Sequence, residues 1–383
     1  MDNRIRILEA LTTAQVGGTE VMVLQLAKSL DCRRFSCHIS VLDGPGPIVG
    51  RALASGIQIH DLCGRGSYFG AASRLRALMK AQRYDLVHLY GFRMSLLGRL
   101  VARSMRPGPI VVVGIRGLHA IELGERLGFR ARAALTIERL MHSLVDAFIA
   151  NSEGSVEFLS RQGLSKSRFV VIPNGIEASD WCRSDTHSAD REFTIVCVAN
   201  FKPAKRQHDL IEAMSFLLAH DLRVRCIFAG DGITRLSAEK LVRQRRLEGV
   251  VEFLGMLTPT EIRALLHQAH VFVLPSLWEG MPVSVMEAMA AGLPVVGSNV
   301  PGICGLVVEG VTGYLVPPRD PCLLARRIER LAKDVDLRAQ MGRAGYERIV
   351  TAFSLERMVQ RHAEVYTNLA DVPAAAPHEQ LTS

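Results

Sequence analysis

Residues 271–296 read VFVLPSLWEGMPVSVMEAMAAGLPVV. An apolar run, a short loop, a helix-like stretch and a second apolar run follow one another without interruption. VFVLPS predicts a buried strand, LWEGM the loop leaving its carboxyl end, and VSVMEAMAAG a helix. Pro282 suits the first helical position, where its missing N–H has no partner to lose. Gly292 ends the helix and Pro294 blocks its continuation. A strand, a loop, a helix and a further strand make the repeating piece of a parallel sheet, and the same alternation extends along the chain.

Toward the amino terminus, IRILEAL, SCHISVLD, IQIHDL, DLVHLY, PIVVVGI, AFIANS and FVVIPNG predict strands. TEVMVLQLAKSL, ASRLRALMKAQR and MSLLGRLVARSM between them carry apolar residues at helical spacing. FTIVCVAN opens a second series, continued by VRCIFAGDG, VVEFLGM, VFVLPS, LPVVGSN and GYLVPP. EASDWCRSDTHSADRE, between the two series, is polar and lacks helical period, as an inter-domain connection does. The expected organisation is an α/β domain over 1–175, a linker over 176–192 and a second α/β domain over 193–352. A carboxyl-terminal helix over 353–370 can cross back to the first domain, and a tail follows over 371–383. Ligands of open α/β sheets sit at the carboxyl ends of the strands, so two such domains imply a cleft between them.

Composition excludes several classes. The 383 residues are 48% hydrophobic and 22% charged, an ordinary globular balance. No run of about 18 uncharged apolar residues suggests a membrane span, and the opening MDNRIRILEALTT does not read as a secretory signal. Eight cysteines lack C-x-x-C spacing and read as buried free thiols of a reducing compartment. The net charge of +8 divides into +10 over residues 1–175 and −2 over the remainder. A basic first half can face anionic lipid headgroups, an acidic polymer or nucleic acid, or be a generic solubilising surface. Arg93, Arg99, Arg103, Arg106, Arg126, Arg130, Arg132 and Arg139 lie on its helix-like parts, in a setting compatible with an anionic membrane surface. Nothing resembles a DNA- or RNA-binding motif, so no nucleic-acid partner is expected.

The acids of EGMPVSVME carry the functional reading. The N–H groups of Gly280, Met281 and Val283 would carry the positive end of the helix dipole and suit an anion such as phosphate. Glu279 lies just outside the helix and Glu287 about one turn inside it. Like charge bars either from gripping a phosphate, whereas each can accept hydrogen bonds from hydroxyls flanking it. Hydroxyls, phosphates and hydroxyls again describe a nucleotide sugar. An ordinary capped helix with a solvated glutamate satisfies the same pattern.

EGMPVSVME is similar to the E-x7-E motif of retaining glycosyltransferases of family 4, which have the two-domain GT-B fold. The likeness continues through VGGTEVMVLQLAKSL, YDLVHLYGF, DAFIANSEGSVEFL, FVVIPNGIE, VANFKPAKRQHDLIEAM, FAGDG, VVEFLGML and EGVTGYLVPPRDP. It implies two Rossmann-like α/β/α domains facing each other across a cleft, with a nucleoside-diphosphate sugar as donor. The acceptor would be a hydroxyl of a glycan or lipid-linked molecule bound by the first domain, in polysaccharide, glycolipid or envelope biosynthesis. Glu279 falls on the acid that contacts donor-sugar hydroxyls, Glu287 on the acid that takes the ribose, and Lys205 on the lysine at the diphosphate. Gly280, Met281, Pro282 and Val283 line the donor. Gly17 and Gly18 match the loop that closes over the phosphates. AQVGGTE lacks the G-x-G-x-x-G of dinucleotide binding.

Three positions depart from the family pattern. Asn200 stands where an arginine is frequent, with Lys202 as a substitute cation. Arg116 stands where many members have a histidine near the reacting sugar, and His119 follows three residues on. Gly305 replaces a frequent glutamate. Asp334 and Asp336 have D-x-D spacing but sit in a polar turn, and His88, His267 and His270 have no chelating pattern, so metal-independent chemistry without a cofactor is expected. The expected setting is the cytoplasm, or the inner face of the cytoplasmic membrane. A nucleotide-sugar epimerase on the same fold and a non-catalytic nucleotide-sugar-binding protein are the rival readings.

Overall fold

The computed structural model describes residues 4–63, 68–117, 129–182, 192–220 and 222–371. By its contacts the chain divides into two compact units. One holds the chain up to Gly175 together with the helix Leu355–Asp371, and the other runs from Ile176 to Ser354.

The first unit contains a parallel sheet of seven strands. These are β1 (Ile5–Leu11), β2 (Phe35–Val41), β3 (Ile59–Asp61), β4 (Leu86–Tyr90), β5 (Ile110–Ile115), β6 (Ala147–Ala150) and β7 (Phe169–Val171). Their spatial order is β3-β2-β1-β4-β5-β6-β7. The register is continuous at the centre, with Ile7 opposite both Cys37 of β2 and Leu86 of β4. All five residues of β4 and all four of β6 are buried, so both faces of the sheet are covered. That burial is why these strands are near-continuous apolar runs rather than alternating ones, with buried His88 as the polar exception in β4.

The second unit contains six parallel strands, β8 (Phe193–Val198), β9 (Val224–Ala229), β10 (Val251–Gly255), β11 (Val271–Leu274), β12 (Val295–Ser298) and β13 (Gly313–Val316). Their order is β10-β9-β8-β11-β12-β13. Each sheet therefore reverses direction of build once, at β1/β4 and at β8/β11. At such a reversal the loops leaving two neighbouring strands turn to opposite faces and leave a crevice.

The carboxyl-terminal helix Leu355–Asp371 packs within the first unit. Its Tyr366 hydroxyl donates to Glu9 Oε1 at 2.9 Å and lies 2.7 Å from His88 Nδ1, all three side chains being fully buried. The helix is thereby tied to β1 and β4 by polar contacts that only a specific docking satisfies.

Candidate functional site

In the second unit, the chain leaving β8 carries Lys205 and the chain leaving β11 carries Glu279. These strands are neighbours at the reversal, which brings together residues 74 positions apart. After β8 the Asn200 carbonyl accepts from the Lys202 N–H at 2.9 Å and from the Gln207 side chain at 3.1 Å. A single 3-10 turn over Pro203–Lys205 follows. Arg206 then adopts φ +51°, in the left-handed region, with its guanidinium on Asp209 at 2.5 and 3.0 Å. For a residue with a Cβ that conformation costs about 1 kcal/mol or more, so the turn ending at Lys205 is held by its surroundings. The Leu277 N–H donates to Ala204 O at 2.7 Å and ties the two loops together.

Glu279 is 6% exposed. Lys205 Nζ lies 2.6 Å from its Oε1 and 2.8 Å from its Oε2, and Ser276 Oγ donates to Oε1 at 2.6 Å. The two leading candidates therefore meet each other, where the family pattern had directed them to separate parts of a donor. A carboxylate beside an ammonium, both supported on strand exits, can grip hydroxyls and phosphate side by side. Ser276 escaped the sequence reading. The only available signal is its place at the exit of an apolar strand, three residues before an acid. Lys202, the substitute cation, is exposed at the head of the turn.

The helix after Glu279 spans Val283–Ala290. Pro282 is its N-cap, with ψ 118°, rather than its first residue. That extended conformation lets the Pro282 carbonyl accept from Val285 and Met286, at 3.2 and 3.4 Å. Gly280, Met281 and Pro282 are buried, and Val283 is half-buried. Gly292, at φ +73°, follows the cap residue Ala291, and its N–H donates to Met289 O at 3.0 Å. Glu287 is the fifth residue of the helix. Burial pushes its carboxyl up to about 8, and no hydrogen bond to it is found among the described residues. An acid placed so is ready for partners from outside the protein.

Gly302 presses against this loop. A Cβ on it would lie 2.4 Å from the carbonyl oxygens of both Glu279 and Gly280. Gly302→Ala is expected to displace the Glu279 loop. The loss in catalytic efficiency should reach about 10²-fold, because a shift near 1 Å in a positioning element has that effect. Steady-state kinetics against the donor tests this, with the thermal midpoint as the check on folding. Gly305, by contrast, is exposed, and a Cβ there would meet only Pro301 O at 3.7 Å. A side chain would fit there, and this chain provides none.

In the first unit, Gly17 is the extended N-cap of the helix Gly18–Ser29 and accepts from the Val21 N–H at 3.0 Å. Thr19 and Glu20, which follow, line a cavity that Arg116 also lines. Arg116 donates to Asn174 Oδ1 at 2.8 Å and lies 3.2 Å from His362 Nε2. His362 is fully buried, and its Nδ1 faces Met358 O at 2.8 Å, which leaves Nε2 as acceptor. Burial, reinforced by the Arg116 charge, lowers this imidazole to about 3. Arg116 is thus fixed by the carboxyl-terminal helix, a contact that no sequence spacing announces. His119 lies outside the described residues.

Several sequence expectations need correction. Among the arginines assigned to a membrane-facing set, Arg99 is 1% exposed and donates to Glu138 at 2.7 Å and Ser95 at 2.6 Å. Arg103 pairs with Asp146 at 2.7 Å, and Arg93 pairs with Asp43. These three arginines are therefore paired with acids of the same unit, while its net positive charge is unchanged. Arg126 lies outside the described residues. All eight cysteines are free, but only Cys197 and Cys226, in the strands, are buried; Cys32, Cys63, Cys182, Cys304 and Cys322 are exposed. Asp334 caps the helix Val335–Ala352 by accepting from Leu337 N at 2.9 Å. His270 accepts from Thr194 N at 3.0 Å, and His267 lies 2.9 Å from Trp181 O. Among the described residues no group of three or more His, Cys, Asp or Glu could hold a metal ion. No described helix is long and apolar enough to cross a membrane.

Comparison with known proteins places these features in context. The profile of glycosyltransferase family 4 matches residues 16–180, and that of glycosyl transferases group 1 matches residues 182–348. Glycogen synthase of Mycobacterium tuberculosis is 28% identical over 65% of this chain and 61% of its own length. The chain thus spans 61% of that relative. The Escherichia coli UDP-Gal:alpha-D-GlcNAc-diphosphoundecaprenol alpha-1,3-galactosyltransferase is 25% identical over 77% of this chain and 78% of its own. Anabaena HepE, solved in complex with UDP-glucose, superposes with a TM-score of 0.83 at 20% identity, covering 95% of this chain and 99% of its own. The structural likeness shows the fold, two α/β units of the GT-B type.

Proposed function

Since the chain belongs to glycosyltransferase family 4, we propose that it is a retaining glycosyltransferase that moves a hexosyl-type sugar from a nucleoside-diphosphate sugar to a hydroxyl of a glycan or lipid-linked acceptor. The observation that carries this is the pairing of Lys205 with Glu279 on adjacent strand exits, at the reversal of the second sheet. Solved neighbours that hold UDP and UDP-glucose support a nucleotide-sugar donor. The galactosyltransferase, whose name gives a diphosphoundecaprenol acceptor, supports envelope or polysaccharide biosynthesis.

The assigned roles follow from charge. As the bond between the anomeric carbon and the phosphate oxygen breaks, its electron pair passes to the nucleoside diphosphate. The ammonium of Lys205 stabilises that growing charge more in the transition state than in the ground state. The acceptor oxygen forms the new bond on the same face, and its proton passes to the departing phosphate. Glu279 takes the donor-sugar hydroxyls and Glu287 those of the ribose. Backbone from Gly280 to Val283 lines the diphosphate, and Lys202 adds a second cation. No metal takes part, and the protein works in the cytoplasm, against a membrane surface when the acceptor is lipid-linked.

A thermal-shift screen against UDP-, GDP- and ADP-sugars tests the reading. A bound donor stabilises by about 2.7 kcal/mol at a hundred times its Kd. One nucleotide class is expected to raise the midpoint, and transfer to an acceptor is expected to persist in EDTA. Failure of every nucleotide sugar to bind would sink the donor assignment, and a strict metal requirement would sink the mechanism.

A further inference from the structure

We propose that the cavity of the first unit takes an apolar body carried by the acceptor, an alkyl, prenyl or aryl group, in a subsite beneath the helix Phe129–Leu140. The inference rests on the reading above, that a hydroxyl of some acceptor receives the sugar. The cavity measures about 340 Å³ and lies at the carboxyl ends of β1, β4 and β5, across the reversal of the first sheet. Its size is at the lower end of small-molecule sites. Leu11, Tyr90, Val113, Leu135, Leu159 and Leu164 are among its lining residues, and apolar surface predominates over polar in the lining as a whole. They come from three strands, from the helices Phe129–Leu140 and Glu153–Arg161, and from the loop after the second helix.

Four charged residues line the cavity, Glu20, Arg93, Arg116 and Glu138, and none is without a partner. Arg116 is held by Asn174 and His362, Glu138 by Arg99, and Arg93 by Asp43. Recruiting Glu138 to a ligand would leave Arg99, almost wholly buried, without its carboxylate, whereas Arg116, whose two partners are neutral, keeps donors for a polar group of the acceptor. Covering the apolar wall requires no such exchange, and the free energy comes from the area removed from water. A hydrophilic sugar alone would leave that wall wet. The hydroxyls of Thr13 and Thr19, also in the lining, suit the polar end of an acceptor whose other end is apolar.

The test uses the full-length protein and glucosides below their micelle-forming concentrations. Calorimetry with butyl, hexyl and octyl glucoside is expected to show Kd falling about fourfold for each added methylene until the cavity is filled. Leu135→Gln and Val113→Phe, one polar and one space-filling, should flatten that dependence while the UDP-sugar thermal shift is retained. Phenyl glucoside binding more tightly than octyl glucoside would identify an aromatic rather than an aliphatic source of the same chemistry. A Kd independent of chain length in the wild type overturns the inference without any variant. So does an unchanged chain-length dependence in both variants once they are shown to bind the nucleotide. If nucleotide sugars bind and chain length has no effect, this subsite alone falls; if no nucleotide sugar binds, the proposed activity falls.

Discussion

Lys205→Ala is expected to lower kcat by about 10²–10³-fold at saturating donor, the loss that follows removal of one electrostatic partner of a developing charge. The effect belongs in kcat because the charge on the leaving diphosphate grows only as the glycosidic bond breaks. Lys205 lies within 2.6 and 2.8 Å of both oxygens of Glu279, so its removal has a second consequence. A carboxylate in a residue 6% exposed is left with Ser276 as its remaining partner, and losing the other should cost about 1–3 kcal/mol of stability. Glu279→Gln keeps an acceptor for Ser276 and removes the charge, so the double variant Lys205→Ala/Glu279→Gln should regain stability lost by Lys205→Ala alone. Its kcat should stay low but fall by less than the product of the single losses, because residues in contact act as one unit. Pre-steady-state transfer assays with matched thermal melts decide the matter. Wild-type turnover in either folded single variant would remove both residues from the proposed donor site.

The strands were legible because both faces of each sheet are covered. IRILEAL, DLVHLY, AFIANS, VFVLPS and LPVVGSN are mainly apolar, interrupted in β1 by Arg6 and Glu9 and in β4 by His88, and each contains an observed strand, β1, β4, β6, β11 and β12. The pairing of Lys205 with Glu279 was not legible from spacing, since it depends on β8 and β11 becoming neighbours in an order that no local pattern fixes. Family likeness supplied the two residues but not their contact. Pro282 was misplaced by one position, because a proline satisfies the start of a helix as N-cap or as first residue, and only ψ separates the two. Arg99 is placed by its pattern in a surface set facing an anionic membrane, because arginine on an amphipathic helix is ordinarily exposed. Its partner Glu138 stands 39 residues away on another helix, and proximity of that kind is created by packing. The cysteine reading failed in the same way: an apolar setting correctly marked Cys197 and Cys226, and was extended to loop and helix-end thiols that have none.

The largest pH effect should come from two carboxyls that burial protonates. Glu287 is raised to about 8, and Glu9, fully buried between Tyr366 and Tyr90, to about 7. In both cases desolvation dominates; at Glu9 the hydrogen bonds from Tyr90 and Tyr366 and the charge of Arg116 oppose it. The folded state therefore binds protons that the unfolded chain, with glutamates near 4.5, has already released. Stability must fall with rising pH wherever that inequality holds, from about 4.5 up to each folded value, and level off above it. His362 and His88 act in the opposite sense. Burial keeps both imidazoles neutral, so stability is lost as pH falls below the ordinary histidine value. Between about pH 4.5 and 6.5 the two slopes oppose each other, with His38, His60, His142 and His208, also lowered by burial, adding to the histidine side. Above about 6.5 the carboxyls remain, leaving a net decline to about 8. Glu287→Gln mimics the protonated carboxyl. It should raise stability at pH 9 by up to about 5 kcal/mol, the ceiling set by a shift of this size, with little effect at pH 4. Denaturant unfolding from pH 4 to 9 checks this. If Glu287 takes donor ribose as proposed, saturating nucleotide should flatten the wild-type slope between pH 6.5 and 8, since hydroxyl donors favour the ionised carboxylate. In Glu287→Gln the ligand should then raise stability by the same amount at pH 6.5 and at pH 8. An equal ligand effect at both values in the wild type would separate Glu287 from the nucleotide, even with its buried titration intact.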